Sequence, residues 1–192
     1  HRLHRSGFKV LVLEVPQPLV VRRTVSFAQA VIDGETIVEE VKAVKANNKD
    51  EITAAWSRGA VPVYIDPAGD SIKELKPAVV IDATLAKRDT GMCPDMAPLT
   101  IALGPGFEAG KQVHVVIETM RGHNLGRLIF KGGALPDTGI PDPLKGYGAE
   151  RVLRAPCNGG IQHVVDIGAA VKKGDVICRV SGRPVIAAFD GV

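Results

Sequence analysis

Short apolar runs alternate with stretches of helical period in the first 85 residues of the chain. The runs FKVLVLEV, VPVYI and AVVID are rich in aliphatic residues and are typical of buried strands. Three segments have a spacing compatible with helices: residues 24–32, KDEITAAWSRGA and SIKELKP. Apolar and polar residues alternate in VEEVKAVKANN, which predicts a short strand. Strands that alternate with helices at this spacing predict βαβ units and a parallel sheet.

The pattern changes after Leu85, where glycine and proline become frequent and the helical periodicity fades. PLTIALGPGF, VHVVIET and GRLIF predict three short strands joined by glycine turns. Two arrangements remain open for them, an extension of the same sheet or a small layer on it. GALPDTGIPDPLKGYG is rich in proline and glycine, which predicts a loop or linker near residues 132–148.

The C-terminal part of the chain contains an internal repeat. APCNGG at 155–160 is matched by AAFDGV at 187–192, and VKKGDVICRV between them has a turn glycine flanked by short apolar strands. This predicts a small all-β unit with two halves, similar to the barrel-sandwich hybrids of biotinyl and lipoyl domains. The tip that carries the modifiable lysine in those carriers reads SGRPV here, so we predict a structural or docking module.

The predicted fold class is therefore α/β. A Rossmann-like parallel-sheet domain is expected over residues 1–148, and a barrel-sandwich-hybrid-like β module over residues 149–192. The basic run HRLHRSG predicts the last turn of a helix that ends at Gly7, and the DG turn at the other end predicts a returning strand. We therefore expect the sequence to be a fragment of a longer chain.

Composition and charge narrow the class of protein. The chain is 45% hydrophobic and 23% charged, and its net charge of +3 comes from interspersed residues, so no basic face for nucleic acid is expected. No run reaches the roughly eighteen apolar residues of a membrane span, and a cytoplasmic location is predicted. A homo-oligomer is compatible with this sequence.

Cysteine and histidine usage predicts no metal site. Cys93, Cys157 and Cys178 are odd in number and far apart, which argues against both a disulfide framework and a metal knuckle. We expect reduced, structural thiols, although Cys93 lies in a loop where its thiol could react. No serine or cysteine lies in a nucleophile motif.

Charged residues near predicted strand ends are candidates for ligand binding, because open α/β sheets bind ligands at the carboxyl ends of their strands. Glu14 ends the first strand, where an acidic residue would hold ribose hydroxyls; a solubilising strand end is the alternative. Arg22 and Arg23 precede a predicted helix and would bind an anion, although a solvated surface pair explains them equally well.

A second group of candidates follows later strands. DATLAKRDTG places Asp82, Lys87 and Arg88 at the carboxyl edge of the sheet, as cofactor-binding candidates or as a charged loop with internal ion pairs. Gly104 and Gly106 in LGPGF allow the backbone to approach a ligand or another strand closely, and a tight turn would also explain them.

The stretch ETMRGHNLGRLIFKGG, residues 118–133, combines charged groups with glycine turns. Glu118 ends a predicted strand, and Arg121 and His123 follow in the turn. A carboxylate beside arginine stays ionised, and a histidine near both could transfer a proton. Glu118 and His123 are therefore catalytic candidates, and Arg121 is a cofactor-binding candidate. The alternative is that Glu118 and Arg121 form an ion pair that only holds the loop in place.

ALGPGFEAGKQVHVVIETMRGHNLGRLIFKGGALPDTGIP, preceded by VVIDATLAKRDTG, resembles the selenium-dependent molybdenum hydroxylase system proteins of bacteria. These are the YqeB-type relatives of xanthine dehydrogenase accessory factors. The resemblance covers nearly the whole chain, and the combination of GPGFxAG, VIETxRGHxLG and TGIP is specific. It implies a glycine-rich turn upstream and a role in maturing a hydroxylase, at cofactor sulfuration, selenation or insertion, but it supplies no catalytic residues.

The leading functional hypothesis is an accessory protein that binds a nucleotide, NAD(P) or ATP, or a molybdenum-pterin-type cofactor. Its expected partners are the molybdenum hydroxylase and its maturation factors. One alternative is an NAD(P)-dependent oxidoreductase with Glu14 on the ribose and His123 as proton donor. The other is a non-catalytic protein whose β module docks on the hydroxylase.

Overall fold

The structure, a computed structural model, describes residues 1–140 and 146–192. It contains two compact units, residues 1–136 and 137–192. Two mixed sheets lie in the first unit and an antiparallel sheet in the second, so the α/β class is confirmed. The predicted linker at 132–148 falls partly outside the described residues, and the boundary after residue 148 stays a prediction. No described helix is long and apolar enough to cross a bilayer.

The first sheet has four strands. Its order is β1 (Val12–Glu14), β4 (Val61–Ile65), β3 (Val41–Ala46) and β2 (Glu35–Val38). The first three strands are parallel, and β2 is an antiparallel edge strand. VPVYI forms the buried strand β4, and the side chains of Val61 and Val63 are fully buried, as expected for a parallel strand covered on both faces.

A hairpin replaces the single strand predicted for VEEVKAVKANN. The chain turns at Glu39 and Glu40, whose φ angles are 44° and 69°, and β3 then runs antiparallel to β2. Two successive positive φ angles are typical of the primed turns that connect tight hairpins. Arg5 stabilises this turn, since its Nη2 donates to the carbonyl oxygen of Glu39 at 2.6 Å. The sequence did not predict this turn, because it contains neither glycine nor asparagine, the residues that favour positive φ.

Helices in the first unit are short. They are α1 (Arg2–Arg5), α2 (Ala30–Asp33), α3 (Lys49–Ser57) and α4 (Ser71–Leu75). The prediction of a helix ending at Gly7 is confirmed, because Gly7 has a φ of 88° and its N–H donates to the His4 carbonyl. The helix predicted from KDEITAAWSRGA is also confirmed as α3, whose first turn is capped by Asn48 accepting from the Glu51 N–H.

Residues 24–32 do not form one helix. Single 3₁₀ turns at Arg23–Val25 and Phe27–Gln29 precede α2, and Ser26 between them has extended backbone angles. The Ser26 hydroxyl accepts a hydrogen bond from the Ala28 N–H and starts the second turn. Local capping by serine thus divides a segment whose apolar spacing is compatible with a continuous helix.

The second sheet also has four strands, in chain order. They are β5 (Val79–Asp82), β6 (Leu99–Leu103), β7 (Val115–Ile117) and β8 (Leu128–Ile129). β5, β6 and β7 are parallel, and β8 is antiparallel to β7. The later strands therefore do not extend the first sheet, and the parallel strands are divided between two sheets where the sequence predicted one.

The second unit contains β9 (Ile161–His163), β10 (Val176–Val180) and β11 (Arg183–Ile186), with β10 in the centre. Ser181 and Gly182, from the SGRPV stretch, form the β10–β11 turn with φ angles of 46° and 80°. The prediction of a β structure in this part is confirmed, and the barrel-sandwich arrangement stays a prediction.

Candidate ligand-binding site

Three loops meet at the carboxyl edge of the second sheet. Because β5, β6 and β7 are parallel and adjacent, the loops that follow them leave the sheet on the same side. Asp82 is the last residue of β5, Gly104 follows β6, and Glu118 follows β7. The structure thus brings together candidates that are separated by up to 36 residues in the chain.

Two glycines allow these loops to approach one another closely. A Cβ at Gly106, where φ is 108°, would lie 2.4 Å from the backbone nitrogen of Arg88. A Cβ at Gly104, where φ is 77°, would lie 2.6 Å from the hydroxyl of Thr119. The loop after β6 therefore contacts the Lys87–Arg88 segment on one side and the start of the loop after β7 on the other, and only glycine permits these approaches.

Asp82 organises the first of the three loops. Its side chain is 9% exposed. One carboxylate oxygen accepts hydrogen bonds from the N–H and the hydroxyl of Thr84, at 2.9 and 2.7 Å, and the other accepts from the hydroxyl of Thr90. The carboxylate is engaged within its own loop, and it fixes the path of residues 83–90 beyond the strand.

Glu118 organises the loop after β7 in a similar way. Its side chain is 3% exposed, and its Oε1 accepts from the N–H groups of Thr119 and Met120 at 2.8 Å each. Its Oε2 accepts from the N–H of Leu135 at 2.9 Å. Burial raises the pKa of Glu118, but the hydrogen bonds from Leu135, Met120 and Thr119 outweigh burial and leave that pKa below its ordinary value.

These contacts favour a bracing role for Glu118 over a catalytic one. A proton acceptor works best with a pKa near the working pH, whereas this carboxylate is ionised and all its hydrogen bonds come from backbone N–H groups. The sequence raised the interpretation of a pinned loop, with Arg121 as the partner. In the structure, backbone N–H groups of Thr119, Met120 and Leu135 hold the Glu118 carboxylate.

Cationic side chains are exposed around the same edge. The backbone of Glu118 bonds to Arg127 and Gly126 and so closes a loop that presents Arg121 and His123 at the surface. The other exposed cations on the three loops are Lys87, Arg88, Lys111 and Arg127.

Two acidic side chains on these loops are held by hydrogen bonds. The Gly91 N–H and the Gln112 amide donate to Asp89, and these contacts hold its pKa below the ordinary value. Glu108 is paired with Lys111 at 2.9 Å. Asp89 and Glu108 are therefore already engaged by groups on these loops. Several cationic side chains on the same loops are exposed.

The candidates near the start of the chain belong to the first sheet. Glu14 ends β1, and its carboxylate accepts a hydrogen bond from the Val15 N–H at 2.8 Å. Arg22 is exposed, and Arg23 starts a 3₁₀ turn of three residues. The sequence predicted that Glu14 and Asp82 lie at the edge of one sheet. In the structure Glu14 ends a strand of the first sheet and Asp82 ends a strand of the second, so they do not share a sheet edge.

A cavity that no sequence motif predicted lies at the opposite, amino edge of the second sheet. Its volume is about 950 Å³, and it is lined by residues from segments 68–77 and 93–98 and by His114. Pro77, Pro98 and His114 come shortly before β5, β6 and β7. Cys93 is the single lining residue that the sequence had marked as chemically interesting, and its thiol is exposed. Distant segments form this cavity, so no local motif marks it.

Metal binding finds no support in the described residues, 1–140 and 146–192. No group of three or more histidine, cysteine, aspartate or glutamate side chains in them is arranged to hold a metal ion. The thiols of Cys157 and Cys178 are free, and Cys178 is buried.

One curated protein shows clear similarity to the chain. The uncharacterized protein YqeB of Escherichia coli (strain K12) is 49% identical over 191 residues. The chain resembles YqeB. This similarity supports the YqeB-type resemblance that the motifs predicted, and it extends over 100% of the chain but only 35% of the relative's length. No protein-family model and no solved structure matches the chain.

Proposed function

We propose that the chain is part of an accessory protein that matures a selenium-dependent molybdenum hydroxylase, and that it binds an anionic ligand at the carboxyl edge of the second sheet. The ligand is a nucleotide or a molybdenum-pterin-type cofactor. The hydroxylase context rests on the motif resemblance. The observation that supports ligand binding is the contact of three loops at one sheet edge, with exposed cations on all three.

Burial of the acidic groups supports the choice of an anion. Asp82 and Glu118 accept hydrogen bonds from their own loops and are almost inaccessible, so they do not present carboxylate oxygens to a ligand. Arg88 and Arg121 instead lie at the surface of this edge. Guanidinium groups match phosphate and carboxylate oxygens through paired N–H donors.

The residues then have distinct roles. Asp82 and Glu118 position the loops, and Gly104 and Gly106 allow the loops to touch. Arg88 and Arg121 contact the anion, with Lys87 adding positive charge. His123 is exposed in the same loop as Arg121 and is the side chain that could transfer a proton to a bound ligand.

Isothermal titration calorimetry with ATP, NAD(P) and molybdenum-pterin cofactor tests this proposal. We expect Arg88→Ala and Arg121→Ala each to raise the dissociation constant about tenfold, because each removes one charge-assisted contact with the anion. Arg58→Ala is the matched control, because Arg58 is an exposed arginine that follows α3, outside the three loops. Absence of binding by all three ligands, or an equal effect of Arg58→Ala, would refute the proposal.

Partner docking is the second candidate function. Leu125, Leu128 and Phe130 are 59%, 54% and 68% exposed, and Leu128 lies on the edge strand β8. Neighbouring exposed apolar side chains of this kind are typical of protein interaction sites. Loss of hydroxylase binding in a pull-down with Phe130→Ser, together with retention in Arg121→Ala, would favour docking over ligand binding. The oxidoreductase alternative would require Glu14, at the end of β1 in the first sheet, and His123, in the loop after β7 of the second sheet, to reach the same ligand.

A further inference from the structure

The cavity at the amino edge of the second sheet is lined in part by charged side chains and a histidine that the proposed function does not use. Its volume of about 950 Å³ falls in the range of small-molecule sites. It lies at the opposite ends of the strands from the loops that carry Asp82, Gly104 and Glu118. A ligand in this cavity would therefore occupy a different site from the anion proposed above.

His114 enters this cavity in a defined tautomer. The Thr100 backbone N–H donates to His114 Nδ1 at 3.0 Å, and the backbone N–H of His114 donates to the Thr100 hydroxyl oxygen at 3.1 Å. A backbone N–H can only donate, so Nδ1 is an unprotonated acceptor and the neutral ring carries its hydrogen on Nε2. Nε2–H is thus the hydrogen-bond donor that the ring of this lining residue can offer to a ligand.

Two lysines on the same lining add positive charge. Lys73 lies in α4 and Lys76 directly follows that helix, so their side chains start from neighbouring turns. Both are exposed, and neither forms an ion pair with any residue that the structure describes. Together with His114, they provide three donors suited to the oxygens of a phosphate or a carboxylate.

The lining also contains hydrogen-bond acceptors, which would suit hydroxyl groups on the same ligand. Asp70 and Asp95 line the cavity and can accept hydrogen bonds from them. Three prolines, which have no N–H and a restricted backbone, form a stiff part of the wall; they are Pro77, Pro94 and Pro98.

We propose that this cavity binds a small hydroxylated anion, either a phosphate ester or a hydroxy acid. Lys73, Lys76 and the Nε2–H of His114 hold the anionic group. Asp70 and Asp95 accept from the ligand's hydroxyl groups.

Histidine NMR tests the proposal, with glycerol 3-phosphate and citrate as the two anionic probes and glycerol as the neutral one. In the free chain, long-range ¹H–¹⁵N spectra should show His114 protonated at Nε2 and unprotonated at Nδ1. Either anion should shift the His114 signals in a saturable manner, whether or not it also shifts His123 at the carboxyl edge. A response to one anion alone identifies the phosphate ester or the hydroxy acid as the ligand class.

Variants separate this site from nonspecific attraction of anions. Lys73→Ala and Lys76→Ala should each raise the dissociation constant about tenfold. Lys131→Ala removes the same charge from an exposed lysine outside the cavity lining and should leave affinity unchanged. A His114 ring protonated at Nδ1, no saturable shift with either anion, a shift confined to His123, or equal weakening in Lys131→Ala would overturn the proposal.

Discussion

Glu118→Gln tests whether the buried carboxylate braces the loop after β7. The substitution keeps the size of the side chain but replaces one acceptor oxygen with an NH₂ donor. If the amide oxygen stays near Thr119 and Met120, the new NH₂ group faces the Leu135 N–H, which donates to Oε2 at 2.9 Å in the wild type. Two donors then oppose each other, and the Leu135 N–H loses its partner.

The hydrogen bonds of Glu118 determine how much stability the substitution is expected to remove. An unpaired, partly buried N–H costs about 1–3 kcal/mol, and the two retained bonds weaken because their acceptor is no longer charged. We therefore expect Glu118→Gln to lower the free energy of unfolding by roughly 2–4 kcal/mol at pH 7. This is a large fraction of the about 5–15 kcal/mol typical of a whole domain.

The lowered pKa of Glu118 determines how this difference in unfolding free energy changes with pH. The pKa of Glu118 is lower in the folded chain than its ordinary value of 4.5, so the folded chain binds fewer protons than the unfolded chain between these two values. The stability that the carboxylate contributes is complete above its unfolded pKa and is lost as the pH falls through its folded pKa. The difference between wild type and Glu118→Gln should therefore be constant near neutral pH and shrink below pH 4.5.

Urea unfolding followed by fluorescence measures this difference, because Trp56 is the single tryptophan of the chain and lies in the same unit as Glu118. Glu74→Gln is the control: Glu74 pairs with Lys49 at 2.6 Å, but both side chains are 60% exposed. Such a pair contributes about 0–1 kcal/mol. A Glu118→Gln effect no larger than that of the control, or one that grows on acidification, would refute the bracing role.

Two further substitutions test close contacts in the first unit. Gly106→Ala should destabilise it by about 2–4 kcal/mol, since the new Cβ would lie 2.4 Å from the Arg88 nitrogen. Gly122→Ala also has a positive φ but open space around it, so equal urea midpoints for the two variants would argue against the contact. Trp56→Phe removes the indole N–H that donates to the Val10 carbonyl at 2.8 Å and should cost about 1 kcal/mol, seen as a lower urea midpoint by circular dichroism.

Local signals predicted much of the secondary structure. Asn48 caps α3 through a contact only three residues away, and Gly7 ends α1 through its own backbone angle. The primed turn at Glu39 and Glu40 escaped prediction because neither residue favours positive φ by itself. A contact from Arg5, which is distant in the chain, supports that turn.

The candidate site, too, could be predicted only in part. Predicted strand ends indicated that Asp82 and Glu118 lie at a carboxyl edge, and parallel pairing of β5, β6 and β7 puts both residues at one edge in the structure. The partner of Glu118 was missed because the Leu135 N–H lies 17 residues further along the chain and belongs to the backbone, which carries no sequence signal.

The sequence alone determined the alternation of strands and helices, the change to glycine-rich β structure and the resemblance to YqeB-type proteins, because periodicity, capping and motifs are local properties. Tertiary structure decided that the parallel strands form two sheets, that Asp82 and Glu118 are buried as braces, and that a cavity opens at the amino edge. Each of these depends on strand pairing and packing between distant segments, since burial and hydrogen-bond partners exist only once the chain has folded.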